Sequence, residues 1–157
     1  SCNKAIRHTK TEFFVRVDSD DYVSKNFIKF FLKYIEKGYD FIFTNYKIIK
    51  NNKFKKININ KFKLKNLISC SVALKIEITK KIGGYRNFLW EEYDLYLRYL
   101  KKTKKIFRVE KHLYFYRFHK NNMTKSLSWK KRAWKQLYKK YKKSDIKYLE
   151  KQLIKIL

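Results

Sequence analysis

Asp18, Asp20 and Asp21 place three carboxylates within four positions, directly after the apolar run Phe13-Phe14-Val15-Arg16-Val17. The chain holds 13 acidic residues against 41 basic ones, so this cluster marks a place where negative charge is wanted. Carboxylates in D-x-D spacing at a strand end suit a hard cation, Mg²⁺ or Mn²⁺, and that cation suits a diphosphate. The same residues also suit a polar turn in which an Asp caps the next helix.

A second acidic group, Glu91, Glu92 and Asp94, follows Trp90 at the start of a helix. The helix macrodipole alone favours carboxylates in a first turn. One of them can also serve as a general base, if it reaches the hydroxyl it deprotonates. Gly83-Gly84-Tyr85 just upstream would let a loop approach a ligand closely. The third group is Tyr116-Arg117-Phe118-His119, followed by Asn121-Asn122-Met123-Thr124. His119 can ligate a divalent ion through neutral imidazole, and Arg117 can pair with phosphate oxygens. A lone His among basic residues also reads as an ordinary surface side chain.

Positioning these groups takes alternating strands and helices, which argues for an α/β layer. A short helix end over 3–11 leads into a strand at 12–17, apolar on both faces and therefore expected in the middle of a sheet. Ligands bind beyond the carboxyl ends of such strands, where Asp18–Asp21 stand. Ser24 is positioned to cap a helix over 25–37, with Gly38 past its end. Strands are expected at 40–46, 69–74, 106–109 and 113–116, and helices at 77–82 and 91–102. Residues 50–66 read as a loop or an edge hairpin. Basic amphipathic helices are expected over 127–143 and 145–156. In the first, Trp129, Ala133, Trp134, Leu137, Tyr138 and Tyr141 recur at helical spacing.

The 157 residues suffice for one domain with a core, and 45% hydrophobic with 18% aromatic residues is a globular composition. No apolar run approaches the roughly 20 residues of a membrane span. A net charge of +28 points to nucleic acid, an anionic membrane or phosphorylated substrates as partners. It also reflects a composition rich in Lys, Ile, Asn, Tyr and Phe together. Cys2 and Cys70 lack metal-binding spacing and read as reduced, cytosolic cysteines.

Taken in order, these segments resemble the family 2 glycosyltransferases, inverting enzymes of the GT-A fold. The resemblance runs from Asn3-Lys4-Ala5-Ile6 through Asp18-Ser19-Asp20-Asp21, Ile82-Gly83-Gly84-Tyr85-Arg86 and Trp90-Glu91-Glu92-Tyr93-Asp94-Leu95 to Tyr116-Arg117-Phe118-His119 and Asn122-Met123-Thr124. It implies a Rossmann-like mixed sheet flanked by helices. It implies that Asp18 faces a nucleotide ribose and that Asp20, with Asp21, holds Mg²⁺ or Mn²⁺. His119 becomes a further metal ligand or diphosphate contact, Arg117 a diphosphate contact, and Glu92, beside Glu91, the base. The implied reaction is one in-line displacement at the anomeric carbon of a nucleotide-sugar donor, by a hydroxyl of a glycan or lipid-linked acceptor in cell-envelope polysaccharide synthesis. Glu92 stands where the family usually has Asp, and Cys2 where an Arg often precedes the Asn. The family's nucleobase-binding strands would lie upstream of residue 1, so the chain is expected to be the carboxyl-terminal portion of a longer enzyme, with an incomplete sheet.

The expected organisation is a partial catalytic domain over 1–126 and a basic helical tail over 127–157. The tail is expected to lie on an anionic membrane surface, its stripe of Trp129, Trp134, Leu137 and Tyr141 beneath the charge, or else to pack that stripe on the core. Such an enzyme would be cytoplasmic and peripheral on the inner face of the membrane. Two other readings compete with it. One is a nucleic-acid-binding module, which fits the charge but shows no RNP, zinc or homeodomain pattern. The other is a non-catalytic fragment of the transferase fold.

Overall fold

The computed structural model describes residues 2–59, 66–120, 122 and 126–154, with the side chains of 152–154 left aside. Asn121, Met123 and Thr124 of the third motif lie outside the described residues. Helices α1 (Cys2–His8), α2 (Phe27–Ile35), α3 (Ile76–Lys81), α4 (Glu91–Tyr99), α5 (Leu127–Lys140) and α6 (Lys143–Ile154) surround one mixed sheet. Its strands are β1 (Phe13–Val15), β2 (Tyr22–Val23), β3 (Phe41–Lys50), β4 (Lys53–Ile57), β5 (Val72–Lys75) and β6 (Ile106–Arg117). They lie in the order β1-β5-β3-β6-β2, and β4 adds to the outer half of β3. Only β3 and β6 run parallel, with Phe41 opposite Ile106; the other pairs are antiparallel.

The core forms where β3 and β5 meet the helices. Phe41, Ile42, Phe43 and Ala73 are fully buried there. Phe27 and Phe31, one turn apart on α2, seal one face. Burial of such side chains contributes about 1.5–3 kcal/mol each. Tyr96 and Tyr99 of α4 close on Phe41, at ring distances of 5.3 Å and 5.6 Å. The Tyr99 hydroxyl also donates to the Asp40 carbonyl at 2.9 Å, so a buried polar group is satisfied.

Several expectations change in detail. The strand expected over 12–17 keeps only 13–15 and lies at one end of the strand order, not in its middle. From Arg16 the chain leaves the ladder and crosses to β6, where Tyr22 and Val23 pair with Phe115 and Tyr114. The strands expected at 106–109 and 113–116 are one strand. Thr44 faces Val109 but Asn45 faces His112, so Glu110 and Lys111 bulge out of register. The buried Asn45 side chain secures that bulge, donating to the Glu110 carbonyl at 2.9 Å and accepting from the Ile59 amide at 2.8 Å. Ser69–Ser71 is a 3₁₀ turn before β5 rather than strand. Ser24 does not cap α2; Asn26 stands at the cap, and Ser24 Oγ accepts from its amide. Residues 50–57 of the Lys/Asn-rich stretch form a hairpin with the outer half of β3, turning at Asn51 and Asn52 with φ of 48° and 59°, and residues 60–65 lie outside the described residues. Asn tolerates that left-handed conformation, which matches strand twist.

Candidate active site

The acidic loop, the start of α4 and the end of β6 converge. Arg16 is the hinge between the first two: its Nε donates to Asp18 Oδ1 at 2.8 Å and its NH1 to Glu91 Oε1 at 3.1 Å. The side chain is two-thirds covered. Burial pulls the guanidinium pKa down, but Asp18 outweighs it and the group stays charged.

Asp21 ties the loop to β6. Its Oδ2 accepts from the Tyr114 hydroxyl at 2.7 Å and its Oδ1 from the Arg117 amide at 2.7 Å. Burial nevertheless raises its pKa against those two bonds. Asp20 points the other way, to His119 Nε2 at 2.8 Å, and that bond holds its carboxyl below the usual range. Arg117 Nε donates to the Asp20 carbonyl. Asn122 Oδ1 accepts from the His119 amide, fixing the histidine loop. The three Asp side chains can each offer an oxygen within 4.8 Å of one another.

Of the residues expected to hold a cation, Asp20 is therefore the most accessible. Asp21 already uses both oxygens inside the fold. His119 Nε2 is engaged by Asp20, so it orients that carboxylate and would have to exchange this bond to bind an ion. Asp18 is fixed by Arg16 with its side chain one-third exposed. The donor set suits a hard divalent cation, because the three carboxylates can each turn one oxygen to a common point and phosphate oxygens can complete the shell.

Glu91 and Glu92 differ in state. Glu91 is paired with Arg16. Glu92 has no ion-pair partner among the described residues, and burial pushes its pKa up to about 7. Arg16 pulls it down and Glu91 and Asp18 push it up by smaller amounts. A carboxylate poised near neutrality suits proton abstraction. Cys70, close to Asp18, has its thiol pushed up to about 12 by burial, so it remains a protonated core side chain.

Sequence reasoning missed Arg16, Tyr114 and the role of Asp94. Asp94 is fully buried beneath the site. It accepts from Arg98 Nε at 2.8 Å, Arg98 NH2 at 2.6 Å, Tyr141 Oη at 2.6 Å and Lys140 Nζ at 3.3 Å. Burial raises its pKa, but these donors outweigh it and the net shift is downward. Arg98 also donates to the carbonyls of Ile82 and Gly84, both at 2.6 Å. The double-glycine loop is thus held from below. Gly84, expected to admit a ligand, admits Asn3 instead. Its φ is +63°, and a Cβ there would lie 2.4 Å from Asn3 Oδ1. Asn3 exchanges two 2.8 Å hydrogen bonds with the backbone of Tyr85.

The chain belongs to glycosyl transferase family 2, whose family model matches residues 1–149. No curated protein matches it in sequence. Among solved structures it is similar to S. aureus TarS 1-349, with a TM-score of 0.65 and 15% identity over 98% of this chain and 49% of that one. A structure of the same TarS segment in complex with UDP gives a TM-score of 0.61 and 16% identity over 97% and 48%. A longer TarS structure gives 0.59 and 20% over 74% and 24%. The likeness establishes the GT-A type of fold, a mixed sheet flanked by helices. The chain spans about half the length of the TarS 1-349 structure.

Proposed function

We propose that this chain supplies the diphosphate-binding and base-carrying part of an inverting glycosyltransferase, moving a sugar from a nucleotide-sugar donor to a hydroxyl of a glycan or lipid-linked acceptor in cell-envelope polysaccharide synthesis. One observation carries the reading: Arg16 joins Asp18 to Glu91, so the D-x-D loop and the helix start bearing Glu92 border one space. The UDP complex of the structurally similar TarS supports a nucleotide-sugar donor with a nucleoside diphosphate leaving group.

In this reading Asp18 holds the ribose and Asp20 faces the diphosphate. Asp20, with Asp18 or Asp21, would hold Mg²⁺ or Mn²⁺, whose positive charge would stabilise the departing diphosphate. Arg117 presents its remaining N–H groups to phosphate oxygens. His119 keeps Asp20 turned toward the diphosphate. Glu92 accepts the proton of the acceptor hydroxyl as its oxygen attacks the anomeric carbon, and the bond to the diphosphate breaks on the opposite side. Glu91 is a weaker candidate for the base, since its charge is already neutralised by Arg16.

Calorimetry with Mn²⁺ tests the donor site. Weak Mn²⁺ binding should strengthen when UDP is added, and Asp20→Ala should abolish the gain. Equal Mn²⁺ and UDP affinities in the wild type and Asp20→Ala would remove Asp20 from the site.

A further inference from the structure

The outward face of α5 and the start of α6 form a shallow groove lined by Lys130, Lys131, Lys135, Lys139 and Lys143, with Leu127, Trp134 and Tyr138 among them. No carboxylate lines it. Leu127 is 66% exposed and Tyr138 40%. This is not the face that the stripe of Trp129, Trp134, Leu137 and Tyr141 marks out. That stripe turns inward: Leu137 is fully buried, Tyr141 bonds Asp94, and Trp129 and Trp134 pack edge-on against Trp90 at 5.5 Å and 4.8 Å. Trp134 alone serves both sides, touching Trp90 within and Tyr138 at the groove.

We propose that this groove docks the protein on a bilayer surface rich in anionic phosphate headgroups. The charge is complementary and concentrated. Ammonium groups near an anionic leaflet each add about 1 kcal/mol to binding. Leu127 is free to enter the acyl boundary, and Tyr138 has the amphipathic ring that settles at the water–lipid interface. A nucleic acid strand fits less well. Stacking on bases needs an open ring face. Here Trp134 and Tyr138 stack on each other at 5.3 Å and 17°, and Lys143 Nζ lies 5.1 Å from the Tyr138 centroid. The inference stands apart from the transferase reading, because none of these residues belongs to the candidate active site.

Co-sedimentation of the 157-residue chain with phosphatidylcholine vesicles, with and without phosphatidylglycerol, tests it. Binding should require the anionic lipid. Combining Lys131→Gln, Lys135→Gln and Lys139→Gln should weaken it about a hundredfold, as three lost contacts imply. Lys80→Gln, Lys81→Gln and Lys104→Gln remove the same charge from exposed positions elsewhere and should leave most of the binding. Leu127→Ser, at an exposed site, should weaken binding without altering the circular dichroism. Equal losses from the two lysine triples would reduce the effect to net charge and overturn the proposal. So would equal binding to neutral vesicles, or a single-stranded oligonucleotide that binds the groove in preference to the anionic vesicles. Mn²⁺–UDP calorimetry on the groove variants should match the wild type, which separates a failed docking surface from a failed donor site.

Discussion

On the proposed function Glu92 is the base, and its environment costs the fold something. With a pKa of about 7 against an unfolded value of about 4.5, it binds more protons folded than unfolded across that interval. Stability contributed by this group is therefore present below about pH 4.5 and falls as pH rises toward 7. Glu92→Gln removes the half-buried charge while keeping the shape. It should raise the unfolding free energy by about 1–3 kcal/mol above pH 7 and change it little at pH 4. Denaturant titration at the two pH values checks this. In the full-length enzyme the same substitution should cut kcat by about 10²–10⁴ while UDP binding persists. Wild-type kcat should rise with pH through about 7, since Glu92 must be ionised to accept a proton. Arg16 lowers the Glu92 pKa, so Arg16→Gln should move that acid limb to higher pH, and Arg16→Lys should largely restore it. An unmoved limb in Arg16→Gln would separate Arg16 from the base.

Between residues and fold stand the connections that hold α4. Its first turn carries the candidate base, and its underside is fixed through Asp94 and Arg98 to the double-glycine loop and α5. The loop in turn is clamped to α1 by Asn3. Gly84→Ala places a methyl group at a positive φ and into the Asn3 carboxamide. It should cost about 1–3 kcal/mol of stability, read as a fall in the denaturant midpoint. Adding Asn3→Ala would relieve the clash but lose the bonds to Tyr85, so the double variant should lose less stability than the two single losses added together.

For the whole molecule, α5 packs on Trp90, Tyr93 and Asp94 of α4 and its approach, within the stretch that the family model matches. Trp90, Tyr93 and the Asp94 carboxylate all lose partners if α5 and α6 are removed. Asp94 would keep Arg98 but lose Tyr141 and Lys140, and the apolar surface that buries Ala133 and Leu137 would be exposed to water. A chain ending at Ser126 should therefore unfold at a much lower temperature, with Trp90 fluorescence shifted toward that of exposed indole. An unchanged melting curve would support a separate tail over 127–157. Among the described residues no helix is long and apolar enough to cross a membrane.

Much of this protein was legible in its residues, because local chemistry fixes local structure. The acidic cluster after an apolar run, the carboxylates at a helix start and the ordered Y-R-x-H segment gave the family and the candidate site. Helical periods and helix-end residues together gave the described α-helices, though with ends displaced by a few residues. What the chain could not disclose depended on partners distant in sequence. Whether Asp21 is free or bonded is decided by Tyr114 and Arg117, which β6 delivers from more than 90 positions away. Whether Glu110-Lys111 ends a strand or bulges from it is decided by Asn45. The direction of the tryptophan stripe on α5 is decided by Trp90 and Asp94. A periodic pattern states that a face will be buried, but the surface that buries it exists only once the chain has folded.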